Sequence, residues 1–305
     1  MTPYTKPAQS LGALQAKITG RGLVVAKPAD LQAALENLGY YRLGGYAYPF
    51  LVPPDRKVFK PDTTWEQIAR VYEFDRELRL LVNDAVERIE VAFRARLITA
   101  TTMAWGPHWF LDVTKFHPNF DHGKFLAQLE REVGIKYDAA GQRVLPATHA
   151  ETFIAHYYTK YGDPYLPPFW MMAEILTLGA LSTLYKGLGD PALKLLIAQP
   201  FGVTAKVMVS WLHALAHLRN VCAHHGRLWN RVFSISPLVP PHLAGIVQTP
   251  NRFEGHAVVL VEMLRVTAPD DDWKQTFHDL LADFPEIDSR AMGFGSAWSF
   301  PFWQP

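Results

Sequence analysis

Asp75-Arg-Glu-Leu-Arg-Leu-Leu-Val-Asn-Asp-Ala-Val-Glu-Arg-Ile-Glu-Val-Ala-Phe-Arg-Ala-Arg-Leu-Ile-Thr-Ala-Thr-Thr-Met103 decides the fold class. Leu78, Leu81, Val82, Ala85, Ile89, Ala92, Phe93, Leu97 and Ile98 recur three and four residues apart, with charges between them. That spacing gathers them on one side of a helix and leaves the charged side chains to water. Gly106-Pro107 stops the pattern. Just upstream, Thr63-Thr64-Trp65-Glu66 reads as a capping signal that opens a helix through about Tyr72.

Working outward, residues 11–20 and 29–38 read as short helices, the second starting at Pro28-Ala29-Asp30. Gly39 to Tyr46 reads as a glycine-punctuated aromatic turn. Further helices are expected at 122–133, 148–161, 169–187, 191–199, 203–225, 254–266 and 273–283. The stretch Asp138–Pro146 is turn-rich, Leu166-Pro167-Pro168 is a break, and Pro237 to Pro250 is a proline-rich connection. Only Leu23–Ala26 has strand-like alternation. The aromatic tail, Met292-Gly293-Phe294 and Trp298 to Trp303, reads as packed. The expectation is an all-α protein, a helical bundle with N- and C-terminal helical extensions. It is read as one domain over 1–305, subdivided at most into 1–60, 61–236 and 237–305.

Composition narrows the function classes. Apolar residues make up 49% and charged residues 19%, which excludes a disordered chain. The single cysteine, Cys222, excludes an intrachain disulfide and a cysteine-rich zinc site. The N-terminus has no basic start followed by an apolar run, and no apolar stretch reaches membrane-spanning length. A cytoplasmic protein without a membrane partner is therefore expected. Net charge is only +1, but its distribution is uneven. From Pro191 to Phe253 there is no Asp or Glu, while Lys194, Lys206, Arg219, Arg227, Arg231 and Arg252 are present. Such a segment offers a positive field to a polyanion, unless Asp270, Asp271 and Asp272 fold over it.

Trp211-Leu-His-Ala-Leu-Ala-His-Leu-Arg-Asn-Val-Cys-Ala-His-His-Gly-Arg-Leu-Trp-Asn-Arg231 lies inside that segment. On a helix, His213, His217, Asn220, His224 and Arg227 form one polar stripe and Leu215, Leu218 and Cys222 the apolar one. Arg219 sits about 140° from His224 at 100° per residue. A solvated face usually carries Lys and Glu, so a stripe of His and Asn reads as the lining of a site. Two chemistries compete for it. His213 and His217 have the spacing of two imidazoles sharing a zinc ion, but the Glu of the hydrolytic zinc motif and any nearby carboxylate are missing. Metal-free phosphodiester cleavage fits better. RNA carries its own nucleophile, the 2′-hydroxyl; imidazole moves protons, guanidinium clamps phosphate, and Asn orients either. Arg219, Asn220 and His224 supply those roles within six residues.

Arg219-Asn-Val-Cys-Ala-His224 resembles the defining motif of HEPN domains, an Arg, a polar residue and a His after four to six intervening positions. The longer block to Arg231 resembles that of the bacterial Abi family of abortive-infection proteins, of the AbiD and AbiF type. Gly20-Arg-Gly-Leu23, Gly39 to Tyr46, Tyr72 to Arg79, Glu87 to Arg94 and the closing Met292 to Trp303 resemble the family's other blocks in order. The resemblance implies a HEPN-like helical bundle, a homodimer, and phage defence by a toxin that attacks RNA. Type VI CRISPR effector nucleases use the same kind of motif. No cofactor and no metal is implied, and no DNA partner specifically. The alternative is a non-catalytic protein that only binds RNA or regulates through it. Arg219, Asn220 and His224 are the candidate catalytic residues, with His225, His217, Arg227 and Glu90 in support.

Several residues carry two readings each. Glu90 either pairs with Arg94 along its own helix or orients Arg219 and the histidines. Tyr40, Tyr41, Arg42 and Tyr46 are either core or a base-stacking platform. Cys222, on the apolar stripe, reads as a small core residue rather than a nucleophile.

Overall fold

The computed structural model describes residues 2–5, 7–146, 152–295 and 301–303. The chain begins with α1 (Leu11–Thr19), α2 (Pro28–Asn37) and α3 (Tyr40–Ala47). α4 (Trp65–Trp105) follows as one continuous helix of 41 residues, where the sequence pattern implied two segments. Nothing between Tyr72 and Asp75 breaks a helix, and Val71, Phe74 and Leu78 carry one buried stripe straight through. At its start Thr64 accepts from the Gln67 amide while the Gln67 side chain accepts from Thr64, so Gln67, not Glu66, completes the capping box.

The remaining elements are α5 (His122–Glu132), the hairpin of β1 (Lys136–Tyr137) and β2 (Arg143–Val144), and α6 (Phe153–Lys160). Then come α7 (Phe169–Met172), α8 (Leu178–Gly187), α9 (Pro191–Ala198), α10 (Ala205–Ala223), α11 (Phe253–Thr267) and α12 (Trp273–Asp283). The fold is all-α apart from the hairpin and isolated bridges, one of which, Val24 to Thr64, is all that the strand candidate at Leu23–Ala26 makes.

Three expectations need correction. Gly39 to Tyr46 is not a turn. Only Gly39 is turned, at φ +81, and from Tyr40 onward the chain is helical because Leu43 and Tyr46 bury themselves against the core. The apolar run 169–187 is not one helix: Thr177 caps a new one by accepting from the Ala180 amide, and Arg94 of α4 takes the freed Leu176 carbonyl at 3.1 Å. The turn at Asp138–Pro146 carries short strands because the Asp138 carboxylate accepts from the Ala140 and Gln142 amides. Of the helix expected at 148–161, residues 148–151 lie outside the described residues, as does Trp298 of the aromatic tail. Trp303 of that tail is 1% exposed and packs edge-on to Phe294 at 5.1 Å.

α4 is the axis on which the rest is built. α3, α10, α11 and α12 all lie against it, and α8 backs α10 from the other side. α10 runs antiparallel to α4: Phe201, before α10, lies under Arg96, while Leu228, after α10, bonds to Asp75. Phe74, Leu78, Val82, Ile89, Phe93 and Leu97 of α4 are fully buried, as are Trp211, Leu215 and Leu218 of α10. Trp211 donates its indole N–H to the Leu238 carbonyl at 2.9 Å, so this large ring is buried without an orphaned donor. Buried apolar residues from Ile18 to Trp303 form one contiguous cluster. Among the described residues no single helix is long and apolar enough to cross a membrane.

Candidate functional site

α10 starts at Thr204, whose hydroxyl accepts from the Val207 amide, and its end is shaped by three residues of the motif. His224 closes the helix. His225 takes a left-handed backbone conformation, φ +55, and donates its amide to the Cys222 carbonyl at 2.9 Å. Gly226 then donates to the Val221 carbonyl at 2.7 Å. This 6→1 and 5→2 pair is a Schellman ending, in which Gly normally occupies the left-handed position. A histidine there costs about 1 kcal/mol of backbone energy. His225→Gly is therefore expected to stabilise the fold by about that amount, measured by urea unfolding. A loss of stability would show instead that the imidazole itself holds the turn.

The chain beyond the turn is fastened to α3 and α4. Arg42 donates to the His225 carbonyl at 2.6 Å, and Arg227 donates back to the Gly45 carbonyl. Asp75, wholly buried, accepts from the Leu228 and Trp229 amides at 2.9 and 2.6 Å. Its other oxygen accepts from the Tyr46 hydroxyl at 2.7 Å and from Arg79, which is itself 6% exposed. Burial pushes the Asp75 carboxyl above the usual range, while these donors and the Arg79 charge pull it back. Asn230, also left-handed at φ +52, accepts from Arg252 at 3.3 Å. Residues 225–230 are thus a fixed loop rather than a loose tail.

Within the polar stripe the side chains have different fates. His213, Asn220 and His224 are exposed. His217 is half-buried edge-on to Phe233 at 6.2 Å with its Nε2 buried and unpartnered. Burial first, then the Arg231 and His213 charges, lower its pKa, which favours the neutral ring. Arg227, expected to support the reaction, is half-buried and holds Gly45 and Asn230 carbonyls, which makes it an anchor of the loop. Cys222 is 2% exposed and burial raises its thiol to about 12, as an inert core residue requires.

Arg219 points elsewhere. Its guanidinium donates to Asn220 Oδ1 at 3.4 Å and lines a groove of about 350 Å³ against α4, with Asn83, Val86, Glu87, Glu90, Val91 and Arg94. Glu90 makes the bland choice, an ion pair with Arg94 at 2.8 Å, yet it shares this groove with Arg219. His224 is not among the groove's lining residues. One copy of the chain thus brings Arg219 and Asn220 together, while His224, five residues on and about 140° round an ideal helix, lies outside that groove. Of the small residues near the end of α10, Ala214 and Ala216 are buried in this chain's own core, whereas Ala223 is exposed and Gly226 half-buried.

Asp271 and Asp272 do not fold over the positive segment, although Glu87 and Glu90 of α4 line the groove of Arg219. Asp271 is drawn to Arg88 on another face of α4, and with Asp272 it lines a separate groove there. Among the described residues Arg219 forms no ion pair, and no three His, Cys, Asp or Glu side chains cluster to hold a metal. Sequence reasoning missed the Asp75, Tyr46 and Arg79 cluster. Its signal was a carboxylate at 75, in register with the buried positions 78, 82, 85 and 89.

No curated protein and no solved structure matches the chain. The model of the Abi-like protein family matches residues 33–230, a span that begins within α2 and ends on the anchored loop after α10, and the chain belongs to that family.

Proposed function

We propose that this protein is a metal-independent endoribonuclease of the HEPN class, acting in the cytoplasm as a toxin of phage abortive infection. The observation that carries this reading is the end of α10. Arg219 and Asn220 touch beside an open groove, an exposed His224 follows one turn later, and the loop beyond is locked to α3 and α4. In the reaction a histidine removes the 2′-hydroxyl proton as O2′ attacks the adjacent phosphorus. Arg219 neutralises the extra charge on the phosphorane, and O5′ leaves with a proton from a second imidazole. The products are a 2′,3′-cyclic phosphate and a free 5′-hydroxyl. Tyr41, 96% exposed beside the Arg42 that holds His225, is the ring free to stack on a base, whereas Tyr46 is core.

The separation of Arg219 from His224 within one chain makes the proposed active unit a homodimer. Two exposed ends of α10 face one another, so that a phosphate between them meets Arg219 and the imidazoles of both copies. The same separation favours a second reading, in which the isolated chain binds RNA without cutting it.

Cleavage of mixed RNA is expected to continue in excess chelator, to yield cyclic phosphate ends, and to stop when the 2′-hydroxyl at the cut position is replaced by hydrogen. A strict metal requirement, or cutting of the 2′-deoxy substrate, rules out the mechanism. Binding with no cleavage at any protein concentration selects the second reading.

A further inference from the structure

Away from α10, a cleft of about 750 Å³ opens between α5, α8 and α9, and it gathers Lys124, Lys186 and Lys194. None of the three forms an ion pair among the described residues. The one carboxylate lining the cleft, Asp121, is engaged in capping α5, where it accepts from the Lys124 amide at 2.9 Å. Lys194 donates to the Lys186 carbonyl at 2.8 Å, which fixes it at the end of α8 close to the Lys186 side chain. Burial and the Lys186 charge together hold Lys194 below the usual lysine range, as expected where positive charges converge without a counter-ion.

One end of α8 lies beside the groove of Arg219. Arg94, which lines that groove, binds the Leu176 carbonyl just before α8 at 3.1 Å. From there α8 runs ten residues to Gly187, about 15 Å at the helical rise of 1.5 Å per residue. Thr183 faces the cleft along this path. Three rings line it, His117, Phe125 and Phe120; Phe125 is buried in the core, and Phe120 is packed on both sides. One face of Phe120 stacks on Phe116 at 4.7 Å, and the other covers Gly187, where even a Cβ would come within 2.3 Å of the ring. Of these rings His117 alone is exposed, beside three ammonium groups, so the chemistry on offer is mainly cationic and suits phosphate oxygens.

We propose that the cleft holds backbone phosphates of a single-stranded RNA whose scissile bond sits at the Arg219 groove, and that it does so chiefly through ammonium–phosphate contacts rather than by reading bases. This rests on the ribonuclease reading and adds a second, sequence-tolerant contact to it. The site lengthens the bound RNA beyond the nucleotides at the cut.

The test is fluorescence anisotropy of the full chain with mixed-sequence, single-stranded 2′-O-methyl RNA, which this chemistry cannot cut, across a salt series. Lys124→Ala combined with Lys186→Ala is expected to make the log–log salt slope shallower by about 1.4, at about 0.7 per lost phosphate contact. The fall should be equal for two unrelated sequences and absent from the Lys124→Arg, Lys186→Arg pair. Cleavage of a dinucleotide, too short to reach the cleft, should be unchanged. Wild-type slopes in the alanine variant, or an effect that depends on base sequence or extends to the dinucleotide, overturn the site. If the wild-type chain itself binds no RNA, the ribonuclease reading falls and the cleft proposal with it.

Discussion

Arg219→Ala and His224→Ala are each expected to lower RNA cleavage by about 100-fold or more while leaving the far-ultraviolet circular dichroism of the helices unchanged. Both halves of that expectation follow from where the side chains lie. Arg219 is half-buried at the rim of its groove, and its one hydrogen bond among the described residues runs 3.4 Å to the neighbouring Asn220 on the same helix. His224 is exposed, and the helix end it occupies is held by backbone amides of residues 224–226, which alanine retains. Neither truncation opens a cavity or orphans a buried donor, so neither carries a large folding cost. The catalytic cost is separate and large. Removing guanidinium leaves the phosphorane's extra charge without its clamp, and removing imidazole leaves one proton transfer to water. Because the two act on one transition state, the double variant should be hardly worse than either single one. Arg227→Ala is the informative contrast. It breaks the bond to Gly45 and should lose stability along with activity. Wild-type cleavage by either the Arg219 or the His224 variant would remove the assignment, whatever the RNA.

Elements fixed by neighbours in the chain were legible in the sequence, and those fixed by distant residues were not. α4, α10, α11 and α12 were legible because their apolar residues recur at helical spacing, a signal carried by neighbours in the chain. The polar stripe of α10 was legible for the same reason, and His213, Asn220 and His224 do face outward. What could not be read is set by residues far apart in sequence. α3 looks like a turn in isolation because Gly44 and Gly45 each disfavour a helix by about 1 kcal/mol. It forms because burial of Leu43 and Tyr46 outweighs that cost. The run 169–187 breaks where Arg94, about 80 positions earlier, offers a partner to the Leu176 carbonyl. The divergence of Arg219 and His224 was visible as an angle of about 140° on an ideal helix, but which of them meets the α4 groove was not.

Asp75→Ala is expected to be the most damaging single substitution in the molecule that touches neither Arg219 nor a histidine. The carboxylate is 0% exposed and serves four donors: two backbone amides of the loop after the motif, the Tyr46 hydroxyl and the Arg79 guanidinium. Alanine removes one partner of a buried ion pair and leaves the Arg79 charge uncompensated in the interior, a change that costs about 3–5 kcal/mol. Against a typical total of about 5–15 kcal/mol, much of the fold's margin is lost. Urea unfolding measures the difference directly, and a loss below about 1 kcal/mol would show that water replaces the carboxylate. Asp75→Asn separates the two jobs. Its amide oxygen can still accept from Leu228 and Trp229, but its NH2 group faces the Arg79 guanidinium, so the variant should fold with an intermediate loss. Tyr46→Phe, which deletes a hydroxyl that donates to Asp75 and accepts from Arg79 at 3.1 Å while leaving their ion pair in place, should cost only about 1 kcal/mol. Activity should follow the loop rather than the total stability. Cleavage by Asp75→Asn at a temperature where it is fully folded should stay near wild type, because the bonds that place residues 225–229 survive. Strong loss of cleavage in a folded Asp75→Asn would mean that the buried charge itself, through Arg79, sets the position of the helix end that carries His224.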